Sequence, residues 1–547
     1  MLSDFYTQRL KRGFIRHWNN LRIAQMARSV TRQAPALSGQ PVVFFKASTG
    51  IDDLSWNAAF HLLASWGFRL QGIPVTFFTC QAGMSRCVLG TNRNDLAKGP
   101  PCRTCIHQSR ILYTGADVHW FGLEHAPELK HALSNQNLDE LTHFDWQGIP
   151  LGELCLPGLR WILRRHNLVD DEPTRFLLRE YILSAWNVAC QFERLIDQTQ
   201  PRAVIVFNGQ FFPEATARWV ARKRGIRAIT HEVGLQPASG FFTDGEATAY
   251  PIHIPENFKL NPEQNARLDA YLEKRFQGQF SMAGIQFWPS MRGLGEAFLH
   301  KAAHFKQIVP VFTNVIFDTS QPHANTVFHD MFTWLDLVLN VIKSHPETLF
   351  VIRAHPDETR LRKESRETVA QWVEDRSVTA MENVLFIPPK EHLSSYEIIQ
   401  RSKFVMVYNS TIGLEASILD TPVLCAGKAR FTQYPTVFFP QSADEYRRMI
   451  EKFLAAKKIK VPPEFRRNAR RFLYYQLFRA SLPFSDYLIP SVRTTHARLK
   501  PFNPDLLLPE NSPAIQVILK GVLEHDDFLL EEKTPSIIPT RPLDREE

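Results

Sequence analysis

Residues 41–80, PVVFFKASTGIDDLSWNAAFHLLASWGFRLQGIPVTFFTC, decide the fold class. They open on the apolar run Pro41–Phe45, which ends in Lys46-Ala-Ser48. Trp56, Phe60, Leu63 and Trp66 then recur at helical spacing, and Gly67 reads as the stop. A second apolar run, Ile73–Cys80, follows. Short unbroken apolar strands around an amphipathic helix make a βαβ unit with a buried parallel sheet. The pattern recurs downstream. A long helix fits 174–198, Ala203–Gly209 is a strand, Glu214–Arg224 a helix stopped by Gly225, and Arg227–Gly234 another strand. Alternation restarts after an irregular stretch at 250–300. Strands are expected at 308–314, 349–356, 384–388, 404–409 and 422–426, with helices at 328–344 and 413–419. Two doubly wound α/β domains are therefore predicted, with helical segments at both ends of the chain.

The expected division is a basic amphipathic segment (1–40), a first Rossmann-like domain (41–255), a connection (256–304), a second Rossmann-like domain (305–450), C-terminal helices (451–530) and a Pro-rich, charged, disordered tail (531–547). No apolar run approaches the about 18 residues of a membrane span. The start of the chain lacks the apolar core of a secretory signal. A cytoplasmic protein, peripheral on the inner face of the membrane, is expected.

Net charge is +8, and residues 1–32 alone carry +6 of it. The rest is nearly neutral, which argues against a nucleic-acid face. Within 1–32, Tyr6, Leu10, Phe14, Trp18 and Leu21 form one helical stripe among arginines. A basic helix carrying Phe and Trp suits an anionic membrane surface; a helix packed on the main body with a solvated basic face is the alternative.

Of seven cysteines, Cys155, Cys190 and Cys425 stand alone, and Cys190 and Cys425 read as small buried hydrophobes. Cys80, Cys87, Cys102 and Cys105 crowd together as C-x6-C-x14-C-x2-C. Four thiolates at such spacing close a tetrahedral zinc site or hold an iron–sulfur cluster. Either would be structural, because four thiolates leave no open coordination position.

In doubly wound sheets ligands bind beyond the carboxyl ends of the strands, so the polar residues there are the candidates. In the second domain these are Thr313-Asn314 to Asp318, Arg353-Ala-His355-Pro-Asp-Glu358 and Asn409-Ser410-Thr411-Ile-Gly413-Leu-Glu415. Ser410 and Thr411 stand where a helix begins, a place that favours phosphate or, more simply, a hydroxyl cap. Gly413 permits close backbone approach, and Glu415, one turn in, is within reach of a ribose hydroxyl. Arg353 and His355 are two apart and share a face of an extended strand. His345-Pro346 lies at the opposite edge and is punctuation. In the first domain the acceptor-side candidates are Asp52, Asp53, Glu214 and, best placed, His231 and Glu232, as a base for an acceptor hydroxyl.

Residues 308–446 resemble the donor domain of bacterial capsule and surface-polysaccharide glycosyltransferases of the GT-B fold. Thr313-Asn314, Arg353-x-His355-Pro356-x-Glu358, Ser395-Tyr396, Ser410-Thr411-x-Gly413-x-Glu415-Ala416, Pro422-Val423 and Ala426-Gly427 carry the resemblance. The His-Pro and Ser/Thr pattern is similar to that of sialyl- and Kdo transferases. The resemblance implies that His355, Ser410 and Thr411 hold the nucleotide phosphate, with Asn314, Arg353, Gly413 and Glu415 in the same donor site. It also implies that Asp318 occupies the place of an acid at the reaction centre. The expected partners are a nucleotide-sugar donor and a glycan or lipid-linked glycan acceptor, with no cofactor required for catalysis. A CDP-glycerol-type glycerophosphotransferase and a nucleotide-sugar epimerase are the nearest alternatives. A non-catalytic polysaccharide-binding or export protein is the alternative of another class.

Overall fold

The computed structural model describes residues 2–277, 291–360 and 363–532, with the side chains described from residue 11 onward. The expected tail beyond residue 532 lies outside the described residues, as do the side chains of Tyr6 and Leu10. The first sheet contains β1 (Val42–Phe45), β2 (Val75–Cys80), β3 (Asp117–Phe121), β4 (Ala203–Phe207), β5 (Arg227–Val233) and β6 (Ser239–Thr243). The second contains β7 (Gln307–Phe312), β8 (Thr348–Arg353), β9 (Val384–Ile387), β10 (Val405–Val407) and β11 (Val423–Cys425). A seventh strand of the first sheet, β12 (Leu482–Pro483), comes from the C-terminal segment. The spatial orders are β12-β6-β5-β4-β1-β2-β3 and β11-β10-β7-β8-β9. All pairings are parallel except β5 with β6 and β6 with β12. The predicted class, two doubly wound α/β sheets, is the observed one. Strand order reverses between β1 and β4 in the first sheet and between β7 and β10 in the second, so the ligand crevices lie beyond those strand ends.

The central strands form because their side chains are buried on both faces. Val42–Phe45, Ala203–Phe207 and Thr348–Arg353 are buried at every position. Helix Trp56–Leu70 covers one face of the first sheet and helix Glu172–Thr199 the other, giving two separate cores. The chain does not end in the second domain. Residues 482–530 return to the first, where helix Pro513–Leu523 joins the core beneath helix Trp56–Leu70. This contact corrects the reading of Gly67. It lies inside helix Trp56–Leu70, and a Cβ there would meet Ile515 Cγ2 at 2.4 Å, so glycine admits the second helix.

The N-terminal helix, Leu2–Gln33, divides into two parts. Ile23, Met26, Ala27 and Val30 are buried in the first domain's core. Phe14, Trp18 and Leu21 are 65%, 54% and 47% exposed, with Phe14 edge-on to Trp18 at 5.9 Å. Among the described residues no helix is long and apolar enough to cross a membrane.

Candidate functional site

The cleft is closed on one side by contacts between loops of the two domains. Gln210, beyond β4, and Thr248 both meet His323 of the second domain, the latter at 2.8 Å. Glu367 accepts from the backbone N–H groups of His166 and Asn167 at 3.0 and 3.1 Å. The second domain's crevice is bridged at its switch point, where Asn314 Oδ1 accepts from the Asn409 N–H at 3.3 Å. Thr313 Oγ1 donates to the Arg353 carbonyl at 3.0 Å and ties β7 to β8.

Arg353 ends β8 only 5% exposed, and its Nη1 has no hydrogen-bond partner. Burial lowers its pKa to about 10, against the raising influence of Glu391. His355 caps the turn Pro356–Thr359, its Nδ1 accepting from the Asp357 N–H at 3.2 Å. The neutral ring therefore carries its proton on Nε2. Burial lowers the His355 pKa, while Asp357 and Asp318 pull it up. Asp318 is exposed in the cleft and interacts electrostatically with His355, Arg164 and Lys363.

Arg164 and Lys363 were not among the residues singled out from the sequence. Arg164 comes from the first domain, just past helix Leu151–Leu163, in the left-handed conformation with φ 60°. Glycine usually fills such a cap, and an arginine there is strained. Its guanidinium packs over Trp161 at 4.1 Å and Phe317 at 4.9 Å. It is 4% exposed, and Nε and Nη1 have no hydrogen-bond partner. Burial, then Arg93, lowers its pKa to about 10, while Asp318 raises it. The non-glycine cap after an apolar helix was the only sequence signal for this residue. Buried guanidinium N–H groups without acceptors are costly, and an anionic ligand satisfies them.

Ser410 and Thr411 stand at the mouth of the crevice. Thr411 caps helix Ile412–Ile418 without a side-chain capping bond. Gly413 does permit close approach, but to the protein itself: a Cβ would lie 3.0 Å from Val407 Cγ2 and 3.2 Å from Phe431 Cζ. Glu415 is 4% exposed and engaged internally. Oε1 accepts from Arg275 Nε at 2.7 Å, and Oε2 accepts from the Tyr396 hydroxyl at 2.6 Å. With both oxygens so engaged, Glu415 supports the crevice from behind.

The acceptor-side pair separates. His231 is fully buried beneath the sheet, its Nε2 3.0 Å from Nδ1 of His61 and its ring stacked on Phe242. Burial, then Lys46, lowers its pKa to about 3. A base must reach its substrate, so in this arrangement His231 belongs to the core. Glu232 stays at the strand end. Oε1 accepts from Asn57 Nδ2 and Oε2 from Asn208 Nδ2, both at 2.8 Å. Cys80, Cys87, Cys102 and Cys105 line one cavity beyond β1, β2 and β4, with Lys46, Ser48, Phe207 and Glu214.

Glu358 shows how the turn after His355 is held. It is 2% exposed, Oε1 accepts from the Val369 N–H at 3.2 Å, and Oε2 has no hydrogen-bond partner. Burial raises its pKa to about 8. The folded protein therefore keeps a proton that the unfolded chain loses near pH 4.5. Stability from this group falls as pH rises from about 4.5 to about 8, by about 1.4 kcal/mol per unit, and is level above that. Glu358→Gln is expected to flatten this part of the profile and to raise the melting temperature at pH 8 more than at pH 5.

Fold and site together define a two-domain α/β protein with a cationic crevice between its domains. Residues 297–438 match the model of a family described as capsule polysaccharide biosynthesis protein. This segment contains every donor-side motif from Thr313 to Gly427. Protein FixF of Sinorhizobium fredii (strain NBRC 101917 / NGR234) is 25% identical over 232 residues, 41% of this chain and 48% of that protein. The chain thus spans about half the length of this curated relative. Among solved structures, the Thermosulfurimonas dismutans KpsC beta Kdo 2,4 transferase superposes with a TM-score of 0.34 at 11% identity, over 51% of this chain and 80% of that one. The Neisseria meningitidis UDP-GlcNAc 2-epimerase gives 0.23 at 12% identity, over 80% and 98%. Superpositions this loose carry no argument about activity.

Proposed function

We propose that this chain is a glycosyltransferase that moves a sugar from a nucleotide donor onto a capsular or other surface polysaccharide. The observation that carries this reading is two buried arginines with unsatisfied N–H groups, Arg164 beside Lys363 and Asp318, and Arg353 beside His355. The family match over 297–438 supports the acceptor class.

In the proposed reaction the bond between the anomeric carbon and the phosphate oxygen breaks, and its electron pair leaves with the nucleotide. The acceptor hydroxyl oxygen bonds to the anomeric carbon, and its proton passes to a carboxylate. Arg164, Arg353, Lys363 and the Nε2 proton of His355 stabilise the charge that develops on the departing phosphate. The hydroxyls of Ser410 and Thr411 face the same phosphate. Asp318 is the carboxylate at the reaction centre that takes this proton. Glu232, held by Asn57 and Asn208, orients the acceptor from the first domain. The reading is tested by incubating the protein with CMP-, UDP- and GDP-linked sugars and an oligosaccharide acceptor. Free nucleotide and an acceptor longer by one sugar are expected. Saccharide binding without nucleotide release would replace the reading by a non-catalytic one.

The N-terminal helix is proposed to seat the enzyme on an anionic membrane surface, where a lipid-linked acceptor would lie. Lys11 and Arg12 precede the exposed Phe14 and Trp18, a composition that favours the interface, while Arg16 pairs with Asp52 of the first domain. Deleting 1–32 would remove core residues, so point changes are the sound test. Phe14→Ala with Trp18→Ala is expected to weaken sedimentation with anionic liposomes about tenfold or more, with the melting temperature unchanged. Undiminished binding would refute this seat.

A further inference from the structure

We propose that Cys80, Cys87, Cys102 and Cys105 hold an iron–sulfur cluster that staples the loop after β2 onto the strand ends of the first domain. Residues 81–101 form a loop without regular secondary structure inside a compact domain. Loops beyond about 15 residues are uncommon there unless something fixes them. This one begins next to Cys80, contains Cys87 and ends at Cys102, where the helix Cys102–Leu112 starts. All four cysteines line the same cavity, so sequence positions 25 residues apart meet around it.

Backbone N–H groups are directed at these sulfurs, within a buried site that by itself favours the neutral thiols. Ala82, at φ 56°, and Gly83 both direct backbone N–H groups at the Cys80 sulfur. Successive amides turned inward by one left-handed residue form a concavity for anions, including iron–sulfur centres. The Gly90 N–H is directed at the Cys87 sulfur, and a Cβ at Gly90 would lie 2.8 Å from that sulfur. Only glycine allows this approach. Cys105 Sγ lies 3.6 Å from the Ser48 hydroxyl and receives the Thr49 N–H. The remaining wall is largely apolar, including Met84, Val88, Ile106 and Phe211, with Lys46 and Glu214 as the lining charges.

The cavity that the four cysteines share favours a cluster over a single ion. Zinc holds thiolates at about 2.3 Å, which sets tetrahedral sulfurs about 3.8 Å apart. Among the described residues, the set of three or more ligand atoms within 4.8 Å of one another is His166, His329 and Asp330, and it includes no cysteine. A multi-iron centre spreads its thiolates farther apart, and the cavity lined by the four cysteines has room for one. On ligation each thiol gives its proton to solvent and bonds iron as thiolate. Coordination is then complete, so the role is structural.

The test is anaerobic purification of the full chain, with assay of iron, acid-labile sulfide and zinc and a visible absorption spectrum. Roughly two to four irons per chain with matching sulfide are expected, with broad visible absorbance that dithionite bleaches. Cys102→Ser with Cys105→Ser is expected to lose at least nine-tenths of the iron, and Cys190→Ser, outside the cavity, to keep it. Stoichiometric zinc without sulfide would overturn the proposal. So would wild-type protein that takes up no cluster on anaerobic reconstitution with iron and sulfide. Both readings use wild-type protein, so a variant that fails to fold does not blunt them.

Discussion

Asp318→Asn is expected to lower kcat for sugar transfer by about 10²- to 10⁴-fold while leaving nucleotide affinity equal or stronger. The two effects separate because Asp318 is the acid set among cations. It is exposed and faces Arg164, His355 and Lys363. Removing its charge leaves those groups with one anion fewer, so an incoming phosphate meets less competition. The proton of the acceptor hydroxyl, however, loses its destination. An exposed, nearly isosteric change creates no cavity, so the melting temperature should hold. Steady-state kinetics with a nucleotide-binding titration on the same preparation reads both quantities. A fall in affinity with unchanged kcat would place Asp318 in binding alone.

Glu415→Gln is expected to destabilise the second domain by about 3 kcal/mol and to leave nucleotide affinity, measured on folded protein, nearly unchanged. The Glu415 side chain is 5% exposed and that of Arg275 21%, with Arg275 Nη2 2.6 Å from Oε1. The same carboxylate also accepts from Tyr396. Removing one charge of a buried pair leaves the other desolvated, which costs more than the pair contributes. The double variant Glu415→Gln with Arg275→Met should therefore recover part of the loss. Urea unfolding of the two single variants and the double variant supplies the cycle. Unchanged stability with affinity lost in Glu415→Gln would return Glu415 to the nucleotide.

What the sequence made legible follows from how locally each feature is determined. Val42–Phe45, Ala203–Phe207 and Thr348–Arg353 could be read because a strand buried on both faces is a continuous apolar run. The edge strand β3, partly exposed along Asp117–Phe121, has no such run. β12 is two residues long, and its pairing with β6 joins segments more than 200 residues apart. The sequence reading offers His231 and Glu232 together, yet neighbours in a strand point to opposite faces and both cannot serve one cleft. His61, 170 residues away, decides which of them is buried. Arg353 and His355 were legible because strand ends in doubly wound sheets are marked positions. Arg164 was not, because its place in the cleft depends on Phe317 across the domain boundary.

In the proposed reaction the crevice of Arg164, Arg353 and His355 binds the phosphate of a nucleotide. The most direct measurement is thermal stabilisation by CMP, CDP, UDP and GDP, on wild type, Arg164→Ala and His355→Ala. A nucleotide at a hundred times its Kd stabilises by about 2.7 kcal/mol. Stabilisation by one base class, lost in both variants, is the predicted result. Stabilisation by no nucleotide, or stabilisation that survives both substitutions, would contradict it.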